Sequence, residues 1–107
     1  MRVAARVDAN QGDIVKAYRR ADCSVAITSQ QGKGFPDIVV GAFGLNELVE
    51  IKDGAKPPSA RKLTEDEARF CSKWKGTYTI IECEADVFAH IERMRGCANI
   101  LTKNNPS

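Results

Sequence analysis

The sequence predicts an α/β fold, a mixed β-sheet flanked by helices, and three observations carry that expectation. Apolar residues recur at helical spacing in three segments, 8–21, 64–75 and 84–95. Between them lie short β-branched runs at 23–29, 38–40, 48–52 and 77–83. The resulting order of helix, three strands, helix, strand and helix is the alternation that layers helices on a sheet. A length of 107 residues suits one domain with a modest core. That domain is expected to span the whole chain, with its core at about 8–95, an N-terminal arm at 1–7 and a C-terminal tail at 97–107.

In chain order, the arm carries Arg2 and Arg6 among small apolar residues and suits a loose arm, an edge strand or a dimer contact. Asp8 is a plausible N-cap for the first helix, with Gln11 three residues on to complete a capping box, and Asn10 competes for the cap. Ile14, Val15 and Tyr18 form its apolar stripe. In the first strand, Val25 and Ile27 share a face. A polar loop, Gln30 to Gly34, leads to Phe35-Pro36-Asp37, and its glycines allow close backbone approach to a ligand.

Ile38-Val39-Val40 and Leu48–Lys52 then read as a hairpin with Gly41 and Gly44 bracketing the turn. Alternation puts Glu50 and Lys52 on one face and Val49 and Ile51 on the other. Lys56-Pro57-Pro58 stops the return strand. Thr64 and Glu67 form a capping box for the second helix, with Phe70, Cys71 and Trp74 as its buried stripe and Gly76 just past its end. The third helix turns Val87, Phe88, Ile91 and Met94 inward and ends at Gly96, which leaves His90 on the surface. The polar tail frays, with Ile100 and Leu101 docking first.

A net charge of +2 and a pI of about 8.4 do not by themselves announce a nucleic-acid binder. The distribution is more telling. From Lys52 to Lys62 four bases (Lys52, Lys56, Arg61, Lys62) stand against one acid, Asp53. Four cysteines without a CxxC, and a single histidine, argue against zinc and for reduced, mostly buried thiols. The expected location is the cytoplasm, because no signal peptide or apolar span is visible.

The chemistry concentrates at Asp37, Glu50 and Lys52. Two carboxylates and an ammonium converging at a sheet edge can hold a hard divalent cation and meet a phosphate or a nucleophilic water. Taken as unrelated residues, Glu50 and Lys52 also read as an exposed ion pair of little energetic weight, and Asp37 as a turn residue. Pro36-Asp37 followed by Glu50-Ile51-Lys52 resembles the PD-(D/E)xK nuclease signature. The glycine-rich approach to Pro36 and the run Asp53 to Thr64 resemble the VRR-NUC branch, small stand-alone domains found often in phage genomes and related to Holliday-junction resolvases. The resemblance covers roughly residues 8–91, and Glu67 departs from the Gln common in such proteins.

The resemblance implies a restriction-endonuclease-like αβββαβ core and a metal-dependent DNA endonuclease. Asp37, Glu50 and the Ile51 carbonyl would ligate Mg²⁺ or Mn²⁺, with Lys52 acting on the attacking water or the phosphoryl charge. Gln11 or Asp13 would complete the cluster. Lys33, Lys56, Arg61 and Lys62 would contact DNA phosphates. A homodimer acting on branched or four-way DNA is expected, in a host's cytoplasm if the chain is phage-encoded. The competing expectation is a non-catalytic nucleic-acid-binding phage protein that keeps the nuclease fold.

Overall fold

The computed structural model describes residues 7–104, with side chains through Thr102. Its elements are α1 (Gln11–Arg20), β1 (Ser24–Ile27), β2 (Ile38–Ala42), β3 (Leu45–Ile51), a 3-10 turn (Pro58–Ala60), α2 (Glu65–Lys73), β4 (Tyr78–Ile81) and α3 (Glu84–Asn104). The strands form one mixed sheet in the order β1-β2-β3-β4. β1, β2 and β3 pair antiparallel, and β4 joins β3 in parallel. A parallel neighbour requires a crossover, which the turn and α2 supply.

The register sorts the side chains into two faces. Ile38 lies opposite Val49, and Ile51 opposite Ile81. These residues meet α1 and α3 in one core with Ile14, Val15, Tyr18, Val87, Ile91 and Met94. Each fully buried aliphatic side chain of this kind contributes about 1.5–3 kcal/mol relative to exposure. The other face carries Leu48, Glu50 and Tyr78, and α2 lies over it, with Phe70 of α2 against the Tyr78 ring. α2 buries none of its own residues.

The hairpin is tighter than expected. Phe43 and Gly44 both have positive φ, 55° and 79°, so the two-residue loop has the handedness that matches strand twist, and Gly41 lies inside β2. Arg95 of α3 sits over the Phe43 ring at 5.3 Å.

Several expectations need correction. α1 begins at Gln11, and its N-cap Asn10 makes no capping hydrogen bond, so no Asp8–Gln11 box forms. The Asn10 amide donates instead to the carbonyls of Lys52 and Glu82, both at 3.1 Å, and ties α1 to the ends of β3 and β4. α3 runs through Gly96 to Asn104, because the surrounding residues sustain the helix against one glycine. The segment 97–104 is therefore helical, with Ile100 and Leu101 exposed. Phe88 is also exposed, as is Ile27 on edge strand β1. His90 is buried at 1% exposure, where Tyr18 and Glu47 satisfy its ring nitrogens. Trp74 is 44% exposed, stacked on Phe70 outside the core. Of the four cysteines only Cys23 is buried. The expected arm lies outside the described residues except for Val7, which is exposed.

Candidate active site at the end of the central strand

Asp37 immediately precedes β2, and Glu50 stands near the end of β3. Continuing the register from Ile38–Val49 places Asp37 opposite Glu50 on the α2 face. Asp37 is held through its backbone: Thr28 N–H donates to its carbonyl at 2.8 Å, and Thr28 Oγ1 donates to the Pro36 carbonyl at 2.7 Å. Its Oδ2 accepts from Ile51 N–H at 2.8 Å. On a strand the N–H and C=O of one residue share a side, so the Ile51 carbonyl faces the same edge as Asp37.

Glu50 is 2% exposed, and its carboxyl lies within hydrogen-bond reach of the carboxyls of Asp37 and Glu67. Lys52 Nζ lies 3.8 Å from Glu50 Oε2 and 2.6 Å from Glu67 Oε1. Burial of both Glu50 and Lys52 removes the reading of an exposed surface pair. The sequence treated Glu67 as a helix cap. It is that, with the capping box complete, and it is also the nearest partner of Lys52. An acid in the first turn of the helix after the basic loop was the available signal.

The electrostatics follow from this crowding. Burial pushes the Glu50 carboxyl far above its ordinary range, and the Asp37 charge adds to the shift. Burial also raises Asp37, more than the Ile51 N–H lowers it, with Glu67 and Asp8 contributing. For Lys52 burial acts downward, but the Glu67 hydrogen bond and the charges of Glu67, Glu50 and Asp8 carry it net upward. Glu67 is net lowered: burial raises it, and Lys52 and the Thr64 N–H outweigh that. Tyr78, opposite Leu48 on the same face, has a buried hydroxyl without a partner, raised by burial and then by Glu50. Asp8, expected only as a helix cap, and Tyr78, expected only as a strand residue, were not foreseen at the site.

Of the two α1 candidates, Gln11 is buried and Asp13 exposed. Gln11 Nε2 donates to Ser29 Oγ at 3.4 Å, and its Oε1 is buried without a partner. Ser29 follows Thr28, so Gln11 belongs to the same end of the sheet as Asp37. Asp13 lines a separate cleft with Asn10, Asp53, Arg61 and Glu82. Among the expected phosphate contacts, Lys56 pairs with Asp8 at 3.6 Å and Arg61 with Glu82 at 3.2 Å. Lys33 and Lys62 are exposed, with no ion-pair partner among the described residues.

Among the described residues no three His, Cys, Asp or Glu side chains group as a metal cage. The donors present still suit Mg²⁺ or Mn²⁺. They are hard oxygens, with Gln11 Oε1 buried and unpartnered and the Glu50 carboxyl buried against Asp37, and Mg²⁺ typically takes only one or two carboxylates and keeps its waters. No helix among the described residues is long and apolar enough to cross a membrane. No protein-family model, curated protein or solved structure matches the chain.

Proposed function

We propose that this chain is a metal-dependent DNA endonuclease with a restriction-endonuclease-like core, built around Asp37, Glu50 and Lys52. The observation that carries the reading is Glu50: a carboxyl placed in the interior against two others, Asp37 and Glu67. Like charges crowded in an interior disfavour ionisation unless a cation or a shared proton offsets them.

In this reading Asp37, Glu50 and the Ile51 carbonyl hold the ion, and Gln11 rather than Asp13 completes the cluster. A bound Mg²⁺ or Mn²⁺ supplies Lewis-acid polarisation and a water made nucleophilic at neutral pH. The hydrolysis joins a water oxygen to phosphorus and breaks one phosphodiester P–O bond. Lys52, kept protonated by Glu67, acts as a hydrogen-bond donor to the charge growing on the phosphoryl oxygens.

The substrate preference we favour is branched or four-way DNA, cut by a homodimer whose two sites address two strands. The exposed apolar residues of α3, Phe88, Ile100 and Leu101, support a dimer surface.

Linear, single-stranded, flap, fork and four-way DNA incubated with EDTA, Mg²⁺ or Mn²⁺ test the activity. Wild type is expected to cut in either metal, and Asp37→Ala, Glu50→Ala and Lys52→Ala to lose cutting. Absence of metal-dependent cleavage on every substrate returns the chain to the class of non-catalytic DNA binders. A monomer mass by light scattering, with equal activity on linear and four-way DNA, defeats the dimer.

A further inference from the structure

Beside the carboxylates, the exposed side of α2 and the loop at Lys33 enclose a cleft of about 400 Å³, lined by Lys33, Asp66, Arg69, Phe70, Lys73 and Trp74. Its floor is aromatic. Trp74 stacks on Phe70 with centroids 5.4 Å apart and planes 17° from parallel. Phe70 is braced in turn by the edge of Phe35 at 5.3 Å and by Tyr78 at 6.2 Å. Three cations face one acid in the lining. Arg69 is drawn to Asp66 at 2.9 Å and Glu65 at 3.3 Å, which leaves Lys33 and Lys73 to set the sign of the cleft. An exposed indole on a braced ring, in a lining that also holds two lysines, matches a planar group attached to an anion.

The cleft shares both its segments with the carboxylate site. Asp66 precedes Glu67, the partner of Lys52, and Phe35 stands two residues before Asp37.

We infer that this cleft takes an unpaired nucleotide of a DNA strand, its base stacked on Trp74 and its flanking phosphates met by Lys33 and Lys73. A base inside a duplex has both π-faces occupied, so the site selects single-stranded DNA. The inference deepens the nuclease reading, on which it rests for the adjoining site, by naming the state of the strand held beside the cut.

Trp74 is the chain's one tryptophan, so its emission reports on this cleft alone. The test titrates the full chain, in EDTA to prevent cleavage, with a 5′-labelled single-stranded oligonucleotide and with the blunt duplex of the same sequence. Tryptophan emission and label anisotropy are both read. The single strand is expected to quench Trp74 and the duplex not to. Trp74→Ala should weaken single-strand binding about tenfold, the scale of one lost base–aromatic stack, while Trp74→Phe retains most of it. Lys33→Ala with Lys73→Ala should lower the salt slope by about 1.4. Circular dichroism confirms that each variant is folded.

Single-strand binding without quenching, Trp74→Ala binding as wild type does, or no single-strand binding at all overturns the inference. So does equal quenching by a polyglutamate peptide, which would assign the cleft to acidic protein segments. Quenching by the single strand with no Mg²⁺-dependent cleavage of any DNA would support the cleft and count against the nuclease. Cleavage with an indifferent Trp74 would do the reverse.

Discussion

One oxygen of Glu67 accepts two hydrogen bonds, from the Lys52 ammonium at 2.6 Å and from the Thr64 backbone N–H at 2.8 Å. The cap of α2 and the charge on the site lysine are therefore one network. Glu67→Gln can keep the cap, because Gln also serves a capping box, and removes only the charge. The folded pKa of Glu67 is depressed, so its contribution is present above the unfolded carboxylate pKa and is lost as pH falls through the folded value. Wild type should exceed Glu67→Gln by about 1–2 kcal/mol at pH 7, and the gap should close on acidification below about pH 4. Urea denaturation across pH measures it. A gap that does not change with pH would separate Lys52 from Glu67.

Glu50 and Asp37 carry the opposite sign. Their folded pKa values are raised, so between the unfolded and folded values the native state binds more protons and stability falls as pH rises. In EDTA, Glu50→Gln should be more stable than wild type at pH 8, by about 1–3 kcal/mol, and its stability should vary less with pH from 5 to 8. Millimolar Mn²⁺ should raise the Tm of wild type and leave Glu50→Gln unmoved. A Glu50→Gln protein less stable than wild type in EDTA would refute the buried, uncompensated carboxylate.

The basic loop should divide by its ion pairs. Lys62 has no partner among the described residues, so Lys62→Ala should weaken binding to all duplex sequences alike and lower the salt slope by about 0.9. Arg61 is committed to Glu82, so Arg61→Ala should cost about 1 kcal/mol of stability and change the slope less. Equal effects of the two on the salt slope would show that Arg61 leaves Glu82 for phosphate.

On the face packed by α1 and α3, Tyr18 hydroxyl, His90 and Glu47 form a buried chain with both links at 2.7 Å. His90→Ala opens a cavity and leaves two polar groups without partners, and should cost about 3 kcal/mol or more. Tyr18→Phe keeps the ring and should cost about 1 kcal/mol. Cleavage by either folded variant should match wild type, since Glu50 points to the opposite face. A loss of cleavage larger than the loss of folded protein would tie this chain to the site.

The sheet was legible wherever one signal dominated. β-branched runs located all four strands, and Thr64 with Glu67 located the start of α2. Alternation put Glu50 and Lys52 on one side, but it could not say that α2 closes over that side. Errors came where a distant partner decided the outcome. His90 sits off the apolar stripe and is buried because Tyr18 and Glu47 await it. Asn10 gave up capping for carbonyls on two strands. Trp74 keeps helical register with Phe70, yet α2 ends at Lys73 and the indole lies outside.

Gly34 has φ of +79°, and a Cβ there would overlap the Asp66 carbonyl. The loop leading to Asp37 and the first turn of α2 thus touch backbone to backbone, with no side chain between them to act as a spacer. Anyone transplanting this site to another scaffold would have to move residues 34–37 and 64–67 as one graft, glycine included. The two halves of the site have no independent adjustment, and a host that set them even a methyl group further apart would carry the same residues and lose their alignment.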